Sequence, residues 1–129
     1  MRALMLILVF GLAAEARACI VSLATVITRD PVNAMEWADA VFYATVRNWD
    51  QTDRWTASAV IDIHESWKGS PSSMLYNNLS STCSVHLEAG RSYLIYAKLR
   101  TDGLLEVEGA VVADSRAADA IKKLREHAR

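Results

Sequence analysis

Arg54-Trp55-Thr56-Ala57-Ser58-Ala59-Val60-Ile61-Asp62-Ile63-His64-Glu65-Ser66-Trp67 carries the clearest structural signal in the chain. Trp55, Ala57, Ala59, Ile61 and Ile63 alternate with Thr56, Ser58, Asp62 and His64, and only Val60 breaks the pattern. A period of two places one set of side chains on a core and the other near water, so this stretch predicts a long, half-buried strand. Trp67 then stands at the end of the core face, and Lys68-Gly69-Ser70-Pro71 ends the strand as a turn.

Working outward, Ala40 to Trp49 is β-branched and aromatic and predicts a strand, followed by a polar turn at Asn48 to Asp53. Ser73 to Leu79 is a weaker strand, with Leu75, Asn77 and Leu79 in phase. Glu88-Ala89-Gly90-Arg91 is a tight turn, and Ser92 to Leu99 is a strong strand with a buried run at Tyr93-Leu94-Ile95-Tyr96. Thr101-Asp102-Gly103 is a hairpin turn leading into Leu104 to Ala113, where Gly109 marks a bend or bulge. Asp30 and Pro31 have the chemistry of a helix cap and first turn, so a short helix is expected over Pro31–Asp39, with Val32, Met35 and Trp37 inward. Ala117, Ile121, Leu124 and Ala128 form a narrow apolar stripe, predicting a terminal helix over 115–127 capped by Asp114 or Ser115. Its last turn is basic (Lys122, Lys123, Arg125), which suits the helix dipole. Strands joined in sequence by short turns pair antiparallel. Five of them are too few for a two-sheet sandwich but can curl into a small barrel, which also removes exposed edges. The expected fold is therefore mainly β, a five-stranded antiparallel barrel flanked by helices.

Residues 1–18 read as an export signal. Met1-Arg2 gives a positive start, Ala3 to Ala14 is apolar, and Ala16-Arg17-Ala18 is an A-x-A cleavage site. The apolar run falls short of the roughly 20 residues a membrane span needs. Taking 18 from 129 residues leaves a single domain, 19–129. Removing Arg2, Arg17 and Glu15 from totals of 14 basic and 15 acidic residues leaves 12 against 14, a formal charge of −2. A near-neutral exported domain lacks the electrostatic footprint of a nucleic-acid binder, so the aromatics are expected in packing rather than as a base-stacking platform. The expected location is secreted or periplasmic.

Cys19 becomes the first mature residue, and Cys83 is the only other cysteine. In an oxidising compartment the simplest outcome is one bridge between them. It would close a loop of about 65 residues, worth about 4 kcal/mol in the chain-entropy model. Three alternatives stand beside it: a lipid anchor on Cys19, a catalytic thiol at Cys83 with His86 three residues on, and a zinc site from Cys83, His86, His64 and His127. The Ala16-Arg17-Ala18 tripeptide is a poor lipidation signal, and the histidines are scattered. Asp62, His64 and Ser58 share a strand face, as a hydrolytic set would, together with Glu65 as a further acid–base group, but a solvated face gives the same spacing. No Gly-x-Ser-x-Gly, His-Glu-x-x-His or phosphate loop is present. The expectation is no catalysis, no cofactor and no resident metal. Asn78-Leu79-Ser80 is a glycosylation sequon, relevant in a eukaryotic host. The basic terminal helix has too small an apolar stripe for strong membrane insertion.

The pieces Ala38-Asp39-Ala40-Val41-Phe42-Tyr43-Ala44-Thr45-Val46, Val60 to Gly69 with its Trp67-Lys68-Gly69, Ser81-Thr82-Cys83, and Leu87 to Ala97 with its Gly90-Arg91-Ser92-Tyr93-Leu94-Ile95-Tyr96-Ala97 occur in one order. In that order the chain from Cys19 to Val107 resembles the netrin-like domain, the superfamily of the tissue inhibitors of metalloproteinases. The resemblance implies an OB-like five-stranded barrel and a Cys19–Cys83 bridge. It also implies a protein partner, a metalloprotease whose zinc is chelated by the α-amino nitrogen and carbonyl oxygen of Cys19. The chain departs from those inhibitors in three ways: Cys19-Ile20-Val21 replaces Cys-x-Cys, further disulfides are missing, and Glu108-Gly109 stands where a late cysteine usually follows the last strand. The alternative expectation is a structural or protein-recognition domain of the envelope or extracellular space, without inhibitory activity.

Overall fold

The computed structural model describes residues 23–80 and 85–129. Its elements are helix α1 (Leu23–Arg29), helix α2 (Pro31–Ala34), a 3-10 turn (Met35–Trp37), strands β1 (Ala40–Gln51), β2 (Thr56–Lys68), β3 (Met74–Asn78), β4 (Ser92–Leu99) and β5 (Leu105–Val112), and helix α3 (Ser115–Ala128). The strands close into a barrel in the order β1-β2-β3-β5-β4. This is the expected mainly-β, OB-like barrel, with a short helix before the first strand and a helix at the end.

One pairing departs from expectation. β3 and β5 run parallel, with Leu75 beside Leu105 and Tyr76 beside Glu106. Antiparallel hairpins join β1 to β2 and β4 to β5, but the ring can only close by bringing β5 next to β3, and these two point the same way. The interior is small because Ala40, Ala44, Ala59 and Ala97 line it alongside Phe42, Val46, Ile61, Leu75, Tyr93, Ile95, Leu105 and Val107. A second apolar layer lies outside the barrel wall. Val41, Leu94, Tyr96 and Val111 face outward and are covered by Ile27, Ala34, Ala117, Ala120, Ile121 and Leu124 from the helices. β4 is therefore buried on both faces, which is why Tyr93 to Ala97 is a continuous apolar run rather than an alternating one.

Register slips let straight strands bend around so narrow a barrel. β1 and β2 slip three times, leaving Trp67, His64 and Arg47 unpaired. The slip at His64 inverts the phase of β2, so Ile63 packs on the interior while Trp67 packs on the outer layer. That corrects the placement of Trp67 at the end of the core face. Trp55 is likewise corrected. It precedes β2 and is 50% exposed, because Asp53 Oδ1 accepts from the amides of Trp55 and Thr56 and turns the chain outward there. The turn expected from Asn48 is instead strand as far as Gln51, since Asn48 to Gln51 pair with Val60 to Ala57.

Among the helices, Asp30 caps α2 as expected, its side chain accepting from Asn33 N. The helix expected to reach Asp39 tightens at Met35, and by Ala38 the backbone is extended, because Asp39 N already donates to Ala97 O of β4. α1 is an additional helix that the sequence reading did not separate from the amino-terminal stretch. In α3 the buried set is Ala117, Ala120, Ile121 and Leu124; Ala120 takes the place expected of Ala128, because the stripe follows the facing helices rather than extending to the exposed last turn. Asp114 is the cap, accepting from Arg116 N and Ala117 N.

Candidate functional site

Cys19 and Cys83, the residues on which the sequence reading turns, lie outside the described residues. Their nearest described neighbours do not. Leu23, four positions after Cys19, begins α1, which packs against the outer face of β5 at Gly109. Val85, two positions after Cys83, is held to the barrel end by its carbonyl, which accepts from Asn77 Nδ2 at 2.8 Å. Asn77 is 1% exposed and follows Tyr76, the partner of Glu106. Leu87 then enters the barrel core, and Glu88 N donates to Tyr93 Oη at 2.9 Å. Because β3 and β5 are parallel, the end of β3 and Gly109 lie toward the same end of the barrel.

β5 is bulged at that point: Tyr96 pairs with Gly109 and Ala97 with Val107, leaving Glu108 unpaired. The bulge inverts the strand's phase, so Val107 packs inside and Val111 packs outside, beneath the helices. Partial burial, and then neighbouring Glu106, push the Glu108 carboxyl above its usual range, with Lys98 opposing.

The polar face of β2 does not assemble a hydrolytic set. Asp62 pairs with Arg47 at 3.4 Å, and Glu65 takes a forked contact from Arg125 of α3, with Arg125 Nη2 at 2.7 Å and Nε at 3.0 Å from Oε1. His64 Nε2 instead meets Thr45 Oγ1 at 2.6 Å, and Thr45 Oγ1 meets Ser92 Oγ at 2.6 Å, a chain of three polar groups across β2, β1 and β4. The Tyr43 ring lies 5.4 Å from the imidazole. Ser58 stands six residues from His64 along the strand, about 20 Å at the usual rise, opposite Tyr76 and Asp50. Both nearby carboxylates are thus engaged by arginines rather than orienting the imidazole. Thr45 and Ser92 could not be linked to His64 from sequence, since their meeting depends on the pairing register of three strands. His86 is exposed. No group of three or more metal-binding side chains occurs among the described residues.

An open depression of about 440 Å³ lies between α2 and the end of α3, lined by Asp30, Val32, Asn33, Met35, Glu36, Lys68 and His127. Its one lysine is committed to the fold, Lys68 Nζ donating to Met35 O at 2.7 Å. No helix among the described residues is long and apolar enough to cross a membrane. The chain matches no protein-family model and no curated protein.

Proposed function

We propose that the protein is an exported, non-catalytic binding module of the netrin-like type, and that it inhibits a metalloprotease through the amino terminus of a mature chain starting at Cys19. One observation carries this reading. The chain that follows Cys19 and the chain that follows Cys83 are both fastened toward the same end of a closed barrel, one through α1 on Gly109 and the other through Val85 on Asn77. A bridge between the two cysteines would then make the leading residue rigid. An α-amino group titrates near pH 8 (roughly 7.7–8.0), so its neutral, metal-binding form is accessible at neutral pH. Holding that nitrogen and the adjoining carbonyl oxygen in a fixed wedge lowers the entropy cost of chelation.

The test is inhibition of a zinc metalloprotease by purified mature protein, repeated with one residue added ahead of Cys19. The expected result is inhibition by the first form and loss of at least a hundredfold in Ki for the second, since the chelating amine is displaced (about 2.7 kcal/mol). Mass spectrometry showing a mature chain that starts elsewhere, or that is acylated on Cys19, overturns the inhibitor reading, as does a lack of inhibition. A second reading, recognition of another protein without inhibition, draws on the exposed apolar side chains of Val60 on β2 and Met74 on β3, which are paired neighbours on the barrel wall.

A further inference from the structure

Among the described tryptophans, tyrosines and phenylalanines, only Trp55 is exposed, with 50% of its surface in water. Ala57 and Ala59, the next residues in its phase, are buried, so the hairpin between β1 and β2 turns Trp55 out against the pattern of the strand. That hairpin tip is fixed. Asp53 Oδ1 accepts from Trp55 N at 2.7 Å and from Thr56 N at 2.9 Å. Thr52 N donates to Thr56 O at 3.1 Å, and the two threonine hydroxyls meet at 2.7 Å. The end of β3 braces the tip from the other side: Leu79 N donates to the Trp55 carbonyl at 2.7 Å, and Thr56 pairs with Asn78. Asn78 Oδ1 accepts from Ser80 N at 2.9 Å and from Ser80 Oγ at 2.6 Å, which orders the rim beside it. The Arg54 guanidinium lies over the indole at 4.8 Å. An aromatic ring presented by a turn that is already ordered binds with little further loss of entropy.

The surroundings of the ring select its ligand. A protein interface surrounds its aromatic anchor with further packed contacts over a large area. Around Trp55 the backbone instead places Thr52, Thr56, Asn78 and Ser80, which are hydroxyl and amide groups. A polyanion needs a cluster of basic residues, and here the single Arg54 is outnumbered by Asp50 and Asp53. A sugar ring matches both features at once, with a C–H face for the indole and a rim of hydroxyls for neutral donors and acceptors. We propose that the β1–β2 hairpin tip is a binding site for a neutral oligosaccharide, with Trp55 as the platform and Thr52, Thr56, Asn78 and Ser80 as the hydrogen-bonding rim. Asp53 is a positioning residue, holding the platform without touching the sugar. The site uses no cysteine and is independent of the amino-terminal chelation proposed above.

The test is calorimetric titration of the purified full chain with chitohexaose, cellohexaose and maltohexaose at about 0.15 M salt, with a heparin hexasaccharide and a single-stranded oligonucleotide as charged comparisons. Saturable binding of at least one neutral chain is expected. Trp55→Ala should weaken it about tenfold through loss of the stacking surface. The same substitution should leave the melting temperature nearly unchanged, because a half-exposed ring outside the core contributes little to stability. Asp53→Ala frees the turn and should weaken binding about fivefold, whereas Asp53→Asn keeps an accepting oxygen and should bind as wild type does. Val60→Ala, on the barrel wall four residues along β2 from Thr56, serves as the control and should bind normally. The absence of saturable binding by every neutral chain, unaltered binding by Trp55→Ala, or binding confined to the heparin fragment or the oligonucleotide overturns the proposal. If Trp55→Ala fails to fold, the Asp53→Ala and Asp53→Asn pair decides: equal affinities in these two variants overturn it.

Discussion

Tyr96 is the largest fully buried side chain among the described residues, and it belongs to the outer layer. It is fully buried, its ring lies 5.9 Å from that of Trp37, and its hydroxyl donates to the Pro31 carbonyl at the start of α2. Burial, and then the nearby charge of Asp30, push its ionisation well above the ordinary value of 10.0. A group whose folded pKa is raised contributes stability that is complete below its unfolded pKa and is lost as pH rises through the folded one. Unfolding free energy should therefore fall as pH climbs above about 10, and Tyr96→Phe should remove that part of the slope. At neutral pH the same substitution leaves the Pro31 carbonyl buried without its donor and should cost about 1–3 kcal/mol, read from denaturant midpoints. A flat Tyr96→Phe difference between pH 8 and 11 would contradict this. Nothing in the run Tyr93-Leu94-Ile95-Tyr96 reveals the bond, because Pro31 is 65 positions away and meets Tyr96 only when α2 folds over β4. The sequence does state that Tyr96 is buried; it does not state what its oxygen touches.

At the level of elements, α3 is attached in two ways. Leu124 is fully buried beside Ala120 and Ile121, while Arg125 reaches from the same turn to Glu65 on β2 at 2.7 Å. These attachments differ in strength. Truncating a buried leucine removes transfer energy and leaves a cavity, so Leu124→Ala should destabilise by about 2–5 kcal/mol. Arg125 and Glu65 remain 54% and 32% exposed, and a solvated ion pair gains little over its hydrated parts. Arg125→Ala should leave the melting temperature nearly unchanged, and a loss approaching that of Leu124→Ala would show that the fork orients the helix. The apolar stripe made Leu124 legible, since 3.6-residue periodicity reports burial directly. The fork was hidden for the same reason that the Ser92–Thr45–His64 chain was: cross-strand and helix-to-strand partners depend on register. Here the register is shifted by bulges at Arg47, His64 and Trp67, whose residues look like ordinary strand.

At the level of the whole molecule, the barrel and its helical cover should melt as one unit. β4 supplies Tyr93, Ile95 and Ala97 to the interior and Leu94 and Tyr96 to the outer layer, so neither layer can come apart without disturbing the other. β1 does the same with Phe42 and Val41. The closed barrel could be anticipated from strand count and short turns, but the second layer could not. Its members come from α1, α2 and α3, elements far apart in sequence whose short apolar stretches say only that each covers something. A barrel sufficient by itself would survive loss of α3. This one has Val41, Leu94, Tyr96 and Val111 beneath its helices, and exposing them returns a contiguous apolar surface to water at about 25 cal/mol for every Å² uncovered. A chain ending at Asp114 should therefore fail to melt cooperatively, bind hydrophobic dyes, and lose amide protection along Leu94–Ala97 together with the rest of β4, whereas Phe42→Ala in the full chain should lower stability yet keep a single transition. A sharp melt in the shortened chain, with β4 still protected, would mean that the barrel folds independently and that the helices serve the amino terminus alone.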